Sequence, residues 1–253
     1  MYNLLSHINL LHSQGKDLAL CTIVSAKGSV PLGTGAKMIV ANDGSIYGTV
    51  GGGYVEKQTI DTALKMIEKD ENKLLPLVLS KDTGTCCGGK VQIFIEIMKR
   101  KKRLYIFGGG HVCKALLDYL PNFEFDTTVI DDRQEIFDDS HFNDINTVVS
   151  NFNDYLNVMQ FGNDVFIIII TYSHSADYQI LSHCLRNQWQ YLGMMGSMNK
   201  VKTMSKRLID EGIKKVLIKK VNMPIGININ AETTHEIAIS ILAELIETTK
   251  NKK

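Results

Sequence analysis

The sequence predicts an α/β protein: an N-terminal α+β domain followed by a Rossmann-like parallel-sheet domain. Three observations carry this reading. First, Leu104-Tyr-Ile-Phe-Gly108-Gly-Gly110-His111-Val-Cys113 reads as an apolar strand, a glycine turn and the start of an apolar-periodic helix. The next strand-like run, Thr128-Val-Ile130, ends in Asp131-Asp132, and Gly110 and Asp131 lie 21 positions apart. That is close to the spacing of a dinucleotide-binding βαβ unit. Second, strand-like and helix-like runs alternate after residue 104, and Val165-Phe-Ile-Ile-Ile-Ile170 is apolar on both faces, as a covered central parallel strand should be. Third, strands and helices mix without that alternation before residue 99, which is the pattern of an α+β module.

The elements follow in order. Leu4, Leu5, Ile8 and Leu11 sit at helical spacing within residues 1–14. Residues 18–25 and 36–40 read as strands, and Asn42-Asp-Gly-Ser45 is a turn signal leading to a short strand through Tyr47. Gly51-Gly52-Gly53 opens a helix with Val55, Thr59, Ala63 and Ile67 on one face. Residues 74–79 and 91–97 read as two further strands around Cys86-Cys87-Gly88-Gly89. Lys99-Arg-Lys-Lys-Arg103 divides the chain into domains 1–98 and 104–253; no aromatic platform accompanies these cations, so they read as a solvated linker. Beyond it, strands are expected at 104–107, 127–130, 147–149, 165–171 and 191–194, and helices near 112–120, 177–187 and 200–210. Thr233-Thr-His-Glu236 is a capping box for a last helix. Ile237, Ile239, Ile241 and Ile246 widen that helix's apolar surface, which predicts burial between the domains or in a dimer interface.

Composition narrows the function classes. Apolar content of 44% and charged content of 22% are those of a globular protein, and a net charge of +1 argues against nucleic acid as a partner. The five cysteines are odd in number and form no C-x-x-C, so neither a disulfide framework nor a zinc ribbon is indicated. No signal-peptide pattern is read at the N-terminus, and no apolar run approaches a membrane span. The expected setting is reduced and cytoplasmic, without membrane contact.

Candidate site residues fall in two groups. At the carboxyl ends of the expected parallel strands lie Gly108, Gly110, His111, Asp131, Asp132, Thr171, His174, Asp177, Gly196, Ser197 and Lys200. Gly108 serves the tight turn and Gly110 lets backbone approach a phosphate. Gly196 and Ser197 N–H groups with the Lys200 ammonium would form a second anion cradle, or Ser197 would only cap a helix. His174 and Asp177 would pair or cap the helix they begin. Zinc on His111, Cys113, His174 and His183 lacks a ligand spacing. The N-terminal half offers Gly51, Gly52 and Gly53 either as bare backbone for an anionic ligand or as tight turns, with Glu56 on the helix they open contacting substrate or complementing the helix dipole. Cys86-Cys87 in a glycine-flanked loop reads either as a reactive thiol, able to touch a soft metal or carry sulfur, or as a half-buried inert cysteine in a hairpin. No catalytic set emerges; Cys87 and His174 are the candidates.

Together these segments resemble the XdhC/CoxI family, accessory factors of xanthine dehydrogenase and related molybdenum hydroxylases. The resemblance rests on Gly35-Ala-Lys-Met38, Gly48-Thr-Val-Gly-Gly-Gly53 with Val55-Glu56, Cys87-Gly-Gly89, Phe107-Gly-Gly-Gly-His-Val112, Val129-Ile-Asp-Asp-Arg133, Tyr191-Leu-Gly-Met-Met-Gly-Ser197 with Lys200, Pro224-Ile-Gly226 and Glu236 to Glu244. It implies a non-catalytic or weakly catalytic factor, more a cofactor chaperone than an enzyme, that binds the molybdenum cofactor (molybdopterin), protects it during sulfuration and delivers it to an apo-hydroxylase. A homodimer is implied, with a cysteine desulfurase as a further partner. Tyr54 stands where the family often has cysteine, which turns attention to Cys87. Of the family's Thr-His-Asp-His pattern, Thr171-Tyr-Ser-His174 keeps only the second histidine. The alternative readings are an NAD(P)-dependent oxidoreductase using Gly108, Gly110 and Asp131, and a dinucleotide-sensing regulatory module.

Overall fold

The computed structural model describes residues 2–79 and 88–250. The chain divides into two compact units, Met1–Lys101 and Lys102–Lys253.

The first unit contains α1 (Tyr2–Ser13), β1 (Leu18–Lys27), β2 (Lys37–Ala41), β3 (Ile46–Gly48), α2 (Gly53–Lys69), β4 (Lys73–Val78) and β5 (Lys90–Met98). The strands form one sheet in the order β3-β2-β1-β5-β4, and every pairing is antiparallel. Alternation along β1 explains the layers. Ala19, Cys21 and Ile23 face one way and join Met38, Val40, Ile93 and Ile95 under α2, which buries Val55, Thr59, Ala63, Met66 and Ile67. Leu18 faces the other way and packs with Ile39, Ala41 and Ile8 of α1. α2 ends where Asp70 turns left-handed at φ 61° and its N–H donates to the Met66 carbonyl.

The second unit contains β6 (Lys102–Phe107), α3 (His111–Leu117), β7 (Phe125–Asp131), β8 (Asn146–Val149), α4 (Phe152–Val158), β9 (Val165–Ile169), α5 (His174–Cys184), β10 (Tyr191–Met194), α6 (Met198–Asp210), α7 (Lys215–Ile218) and α8 (Thr234–Lys250). The sheet runs β10-β9-β6-β7-β8 with all main pairings parallel, the order of a Rossmann domain. All five residues of β9 are buried, because helices cover both faces. One face packs Phe107, Ile130, Ile167 and Ile169 against α4, α5 and α6; the other packs Leu104, Ile106, Phe166 and Ile168 against α3 and α8.

Two expectations are corrected. The cationic run is not a linker throughout: Lys102 and Arg103 begin β6, and Arg103 forms a two-pronged pair with Asp164, Nε to Oδ2 at 2.9 Å and Nη2 to Oδ1 at 2.8 Å. The last helix is not left over for a neighbour. Ala238, Ile241, Leu242 and Leu245 form an i, i+3, i+4, i+7 stripe inside the second unit's own core, with Ile237 and Ile246 packed at its margins. Of the isoleucines expected to widen its surface, only Ile239 is largely exposed, at 45%. The capping box itself forms, with Thr233 Oγ1 accepting from Glu236 N–H at 3.3 Å and Glu236 Oε2 accepting from Thr233 N–H at 2.9 Å. The structure also adds two short helices that the sequence reading does not place, α4 and α7, of seven and four residues. Among the described residues no helix is long and apolar enough to cross a membrane.

Candidate functional site

The glycine turn after β6 is built from three glycines with three different surroundings. Gly108 has φ 108°, and a Cβ there would lie 2.5 Å from the Ile170 carbonyl oxygen and 2.9 Å from Thr171 Cα. Only glycine fits that conformation and that approach. At Gly109 a Cβ would meet Ile136 at 2.5 Å. Gly110 is the open one: its backbone is extended at φ −71°, and no atom lies within 4 Å of where a Cβ would stand. The turn therefore leaves bare backbone facing outward at Gly110, next to His111, which is exposed at the start of α3.

Asp131 ends β7 and is 0% exposed. Its Oδ2 accepts from Gly109 N–H at 2.8 Å, and its two oxygens take Arg133 Nε at 2.8 Å and Nη2 at 2.9 Å, with Arg133 N–H adding a bond at 3.1 Å. Burial pushes this carboxyl up, but the hydrogen bonds from Arg133 and Gly109 outweigh it and hold the carboxyl below its ordinary range. The sequence reading gives Asp131 to a ligand; in the structure its oxygens bind the protein itself and pin the glycine turn to the strand. Asp132, the next residue, is exposed and accepts from the Tyr172 hydroxyl at 2.9 Å. The Arg133 guanidinium lies 4.3 Å from the centre of the Tyr172 ring. Arg133 and Tyr172 escaped the sequence reading; an arginine two positions beyond the strand-end acid was the available signal.

The neighbouring loops form a second network. Asp177 is buried on α5 and accepts from Thr171 Oγ1 at 2.7 Å and Thr171 N–H at 3.2 Å; its other oxygen pairs with the Lys200 ammonium. Lys200 also donates to the Met195 carbonyl at 2.9 Å. Two expectations are corrected here. Asp177 pairs with Lys200 and Thr171, so the His174–Asp177 pair is not the arrangement found. Lys200 ties the end of β10 to α5, so its charge is neutralised and it is not a free cation for an anion. Ser197 caps α6, accepting from Lys200 N–H at 3.3 Å. A Cβ on Gly196 would touch the Lys200 chain at 2.7 Å.

Clefts open beside these loops among the described residues. One of about 480 Å³ holds His174, Ser197, Asn199, Lys200 and Arg207. One of about 490 Å³ holds His111, Lys114, Asp139, His141 and His235. Another, about 600 Å³, was not foreseen; it is mostly apolar and runs from Met195–Met198 to the Pro224–Ile229 loop. α8 suspends that loop: Glu244 accepts from Gly226 N–H at 2.9 Å, and Ser240 Oγ donates to the Ile227 carbonyl at 2.6 Å.

In the first unit, glycine-rich segments meet at one end of the sheet. A Cβ on Gly51 would strike Pro31 at 2.9 Å, and one on Gly28 would lie 3.0 Å from the Gly88 carbonyl oxygen. The loops around 28–31, 51 and 88–89 therefore pack closely together. Gly52 and Gly53 have φ 71° and 55° with open space beside them. Glu56 closes the turn above α2, accepting from Thr49 Oγ1 at 2.5 Å, while Thr49 Oγ1 accepts from Gly51 N–H at 3.1 Å. Cys86 and Cys87 lie outside the described residues. Cys21, Cys113 and Cys184 are buried, and burial pushes all three thiols up, that of Cys21 to about 12. Among the described residues no group of three or more His, Cys, Asp or Glu side chains could hold a metal ion, and Cys113 of the considered zinc set is fully buried.

A two-unit α/β protein with a Rossmann domain and a glycine turn open at Gly110 is thereby defined. The model of the XdhC Rossmann domain matches residues 104–245, and the model of the XdhC and CoxI family matches residues 11–78. This chain belongs to the XdhC/CoxI family. It is 30% identical over 255 residues to the uncharacterized protein YqeB of Escherichia coli K12, covering 98% of this chain and 47% of that protein. It is 28% identical over 159 residues to a protein of Bacillus subtilis 168 named as a probable xanthine dehydrogenase subunit, covering 62% of this chain and 46% of that protein. The chain thus spans about half the length of these curated relatives. In fold it is similar to a crystal structure of a xanthine dehydrogenase from Bacillus halodurans, with a TM-score of 0.56, 21% identity, and coverage of 98% of this chain and 96% of that one.

Proposed function

We propose that this chain is an accessory factor of a xanthine dehydrogenase-type molybdenum hydroxylase: it binds molybdenum cofactor, shields it during sulfuration and delivers it to the apo-enzyme. The observation that carries the reading is the match of both family models in tandem, supported by the Bacillus subtilis relative named for xanthine dehydrogenase. The residues present suit such a ligand. Its phosphate needs bare backbone, which Gly110 offers in one unit and Gly52 and Gly53 in the other. Its flat ring needs an apolar or aromatic surface, available beside Met195–Met198 and at Tyr172. A soft thiolate cannot come from Cys21, Cys113 or Cys184, which burial keeps protonated. That leaves Cys86 and Cys87, of which Cys87 is the one that matches the family's Cys-Gly-Gly. When bound, the cofactor supplies a metal and a transferable terminal sulfur. The chain's own part is to bind, orient and exclude water, with Asp131 and Lys200 holding the loops still. A homodimer and a desulfurase partner belong to the same reading.

A second reading, dinucleotide binding, is favoured by the strand order and the turn at Gly108. Equilibrium titration separates the two. The expected result is tighter binding of molybdenum cofactor than of NAD, and activation of an apo-hydroxylase by the loaded protein. Micromolar NAD binding with turnover of a small substrate, and no cofactor binding, would promote an oxidoreductase instead.

A further inference from the structure

Tyr172 is an exposed aromatic ring held in place by contacts that begin in the core. The residue is 59% exposed. An aromatic side chain on a loop is ordinarily free to turn, but this one is fastened at two points. Its hydroxyl donates to Asp132 at 2.9 Å, and one ring face meets the Arg133 guanidinium at 4.3 Å. Arg133 is in turn locked by its two-pronged pair with buried Asp131, which also receives the Gly109 N–H. Tyr172 follows β9 while Asp132 and Arg133 follow β7, and β6 lies between those strands in the sheet. The ring therefore stands over the carboxyl end of β6, beside the glycine turn, where ligands of open α/β sheets bind. The turn comes close to this loop, since a Cβ on Gly108 would lie 2.9 Å from Thr171 Cα.

We propose that Tyr172 is a stacking shelf for a fused nitrogen heterocycle, the ring system shared by pterins and purine nucleotides, and that Asp132 rather than Asp131 receives that ligand's hydrogen-bond donors. The guanidinium covers one face of the ring, so the other is the one offered to a ligand. A cation behind an aromatic ring is drawn to its electron-rich face, which fixes the ring's position. Fixing the ring beforehand lowers the entropy cost of stacking a second ring on it. Asp132 is exposed and uses one oxygen on Tyr172, so it remains within reach of an amino or hydroxyl group on the stacked ligand. Asp131 has no such freedom at 0% exposure. The shelf rests on the reading above that a phosphorylated heterocycle is seated at Gly110, and deepens it by naming the residue that holds the ring.

The test uses the whole chain and two probes: 6-hydroxymethylpterin, followed by its own fluorescence, and ADP-ribose, followed by calorimetry. Binding of the first alone identifies a pterin site, and binding of the second alone a purine site; either supports the shelf provided Tyr172 controls it. Tyr172→Ala should weaken the bound probe at least about ten-fold, and Tyr172→Phe should stay within about three-fold, because stacking on the ring is retained. Asp132→Asn should weaken it by a smaller factor. If Tyr172→Ala lowers the melting temperature, Tyr172→Leu keeps apolar bulk without a ring and is read the same way. Unchanged affinity in both ringless variants overturns the shelf, as does the absence of binding by both probes to the parent protein. Neither probe needs a hydroxylase, so failure here leaves the delivery reading standing, and failure of delivery leaves the shelf standing.

Discussion

Gly108 and Gly110 stand two residues apart in one turn and meet opposite demands. Gly108 needs a positive φ and has a carbonyl where a side chain would go. Gly108→Ala should therefore cost about 2 kcal/mol or more of stability in urea unfolding. Gly110 has an ordinary φ and open space. Gly110→Val should melt like the parent yet lose any phosphate-bearing ligand of the second unit; equal binding would make the turn purely structural. Asp131 adds a pH dependence. Its folded carboxyl sits below the ordinary 3.8, so its stabilising contribution is present above about pH 4 and is lost as pH falls through the folded value. In thermal melts from pH 7 to pH 3, the stability advantage of the parent over Asp131→Asn should shrink below pH 4. A constant gap would show that the ionised form carries no advantage. For the thiols, Cys87→Ser should reduce retention of the metal or its terminal sulfur more than Cys86→Ser does, because Cys87 matches the family's Cys-Gly-Gly. Equal reconstitution of a hydroxylase by both variants would remove a thiol role there.

At the scale of elements, α8 is the one whose meaning changed most. Its apolar surface looked large enough to need a partner. The structure buries Ala238, Ile241, Leu242 and Leu245 against the sheet and α3, and uses Ser240 and Glu244 to hang the Pro224–Ile229 loop. Truncation before Thr233 should therefore unfold the second unit instead of merely dissociating a dimer. Circular dichroism should show a broad, low-temperature melt. A truncated product that melts cooperatively near the parent temperature would restore the interface reading, and light scattering would then show whether the oligomeric state changed. Sequence periodicity gives the width of a helix's apolar surface; it does not say whether the chain's own core or another molecule covers it. For α3 and α5, expected near 112–120 and 177–187, the helices were legible but their ends were not: α3 stops at Leu117 and α5 starts at His174.

At the scale of the whole molecule, the sequence determined the two-part plan. Alternation of strand and helix after residue 104, the all-apolar run in β9 and the glycine turn are local patterns, and local patterns survive without coordinates. It also determined the family, because many short motifs in fixed order are a property of sequence alone. What only the tertiary structure decided is which site residues face outward. Asp131 and Lys200 carry the residue types and spacing of ligand contacts, yet their charges are matched from within by Arg133 and Asp177, residues on the same loop and on a neighbouring helix. Buried charges must be paired, and the partner is set by three-dimensional proximity, which spacing along the chain does not encode. The same holds in reverse for Tyr172. It reads as an ordinary loop residue until packing places Arg133 behind its ring and Asp132 at its hydroxyl.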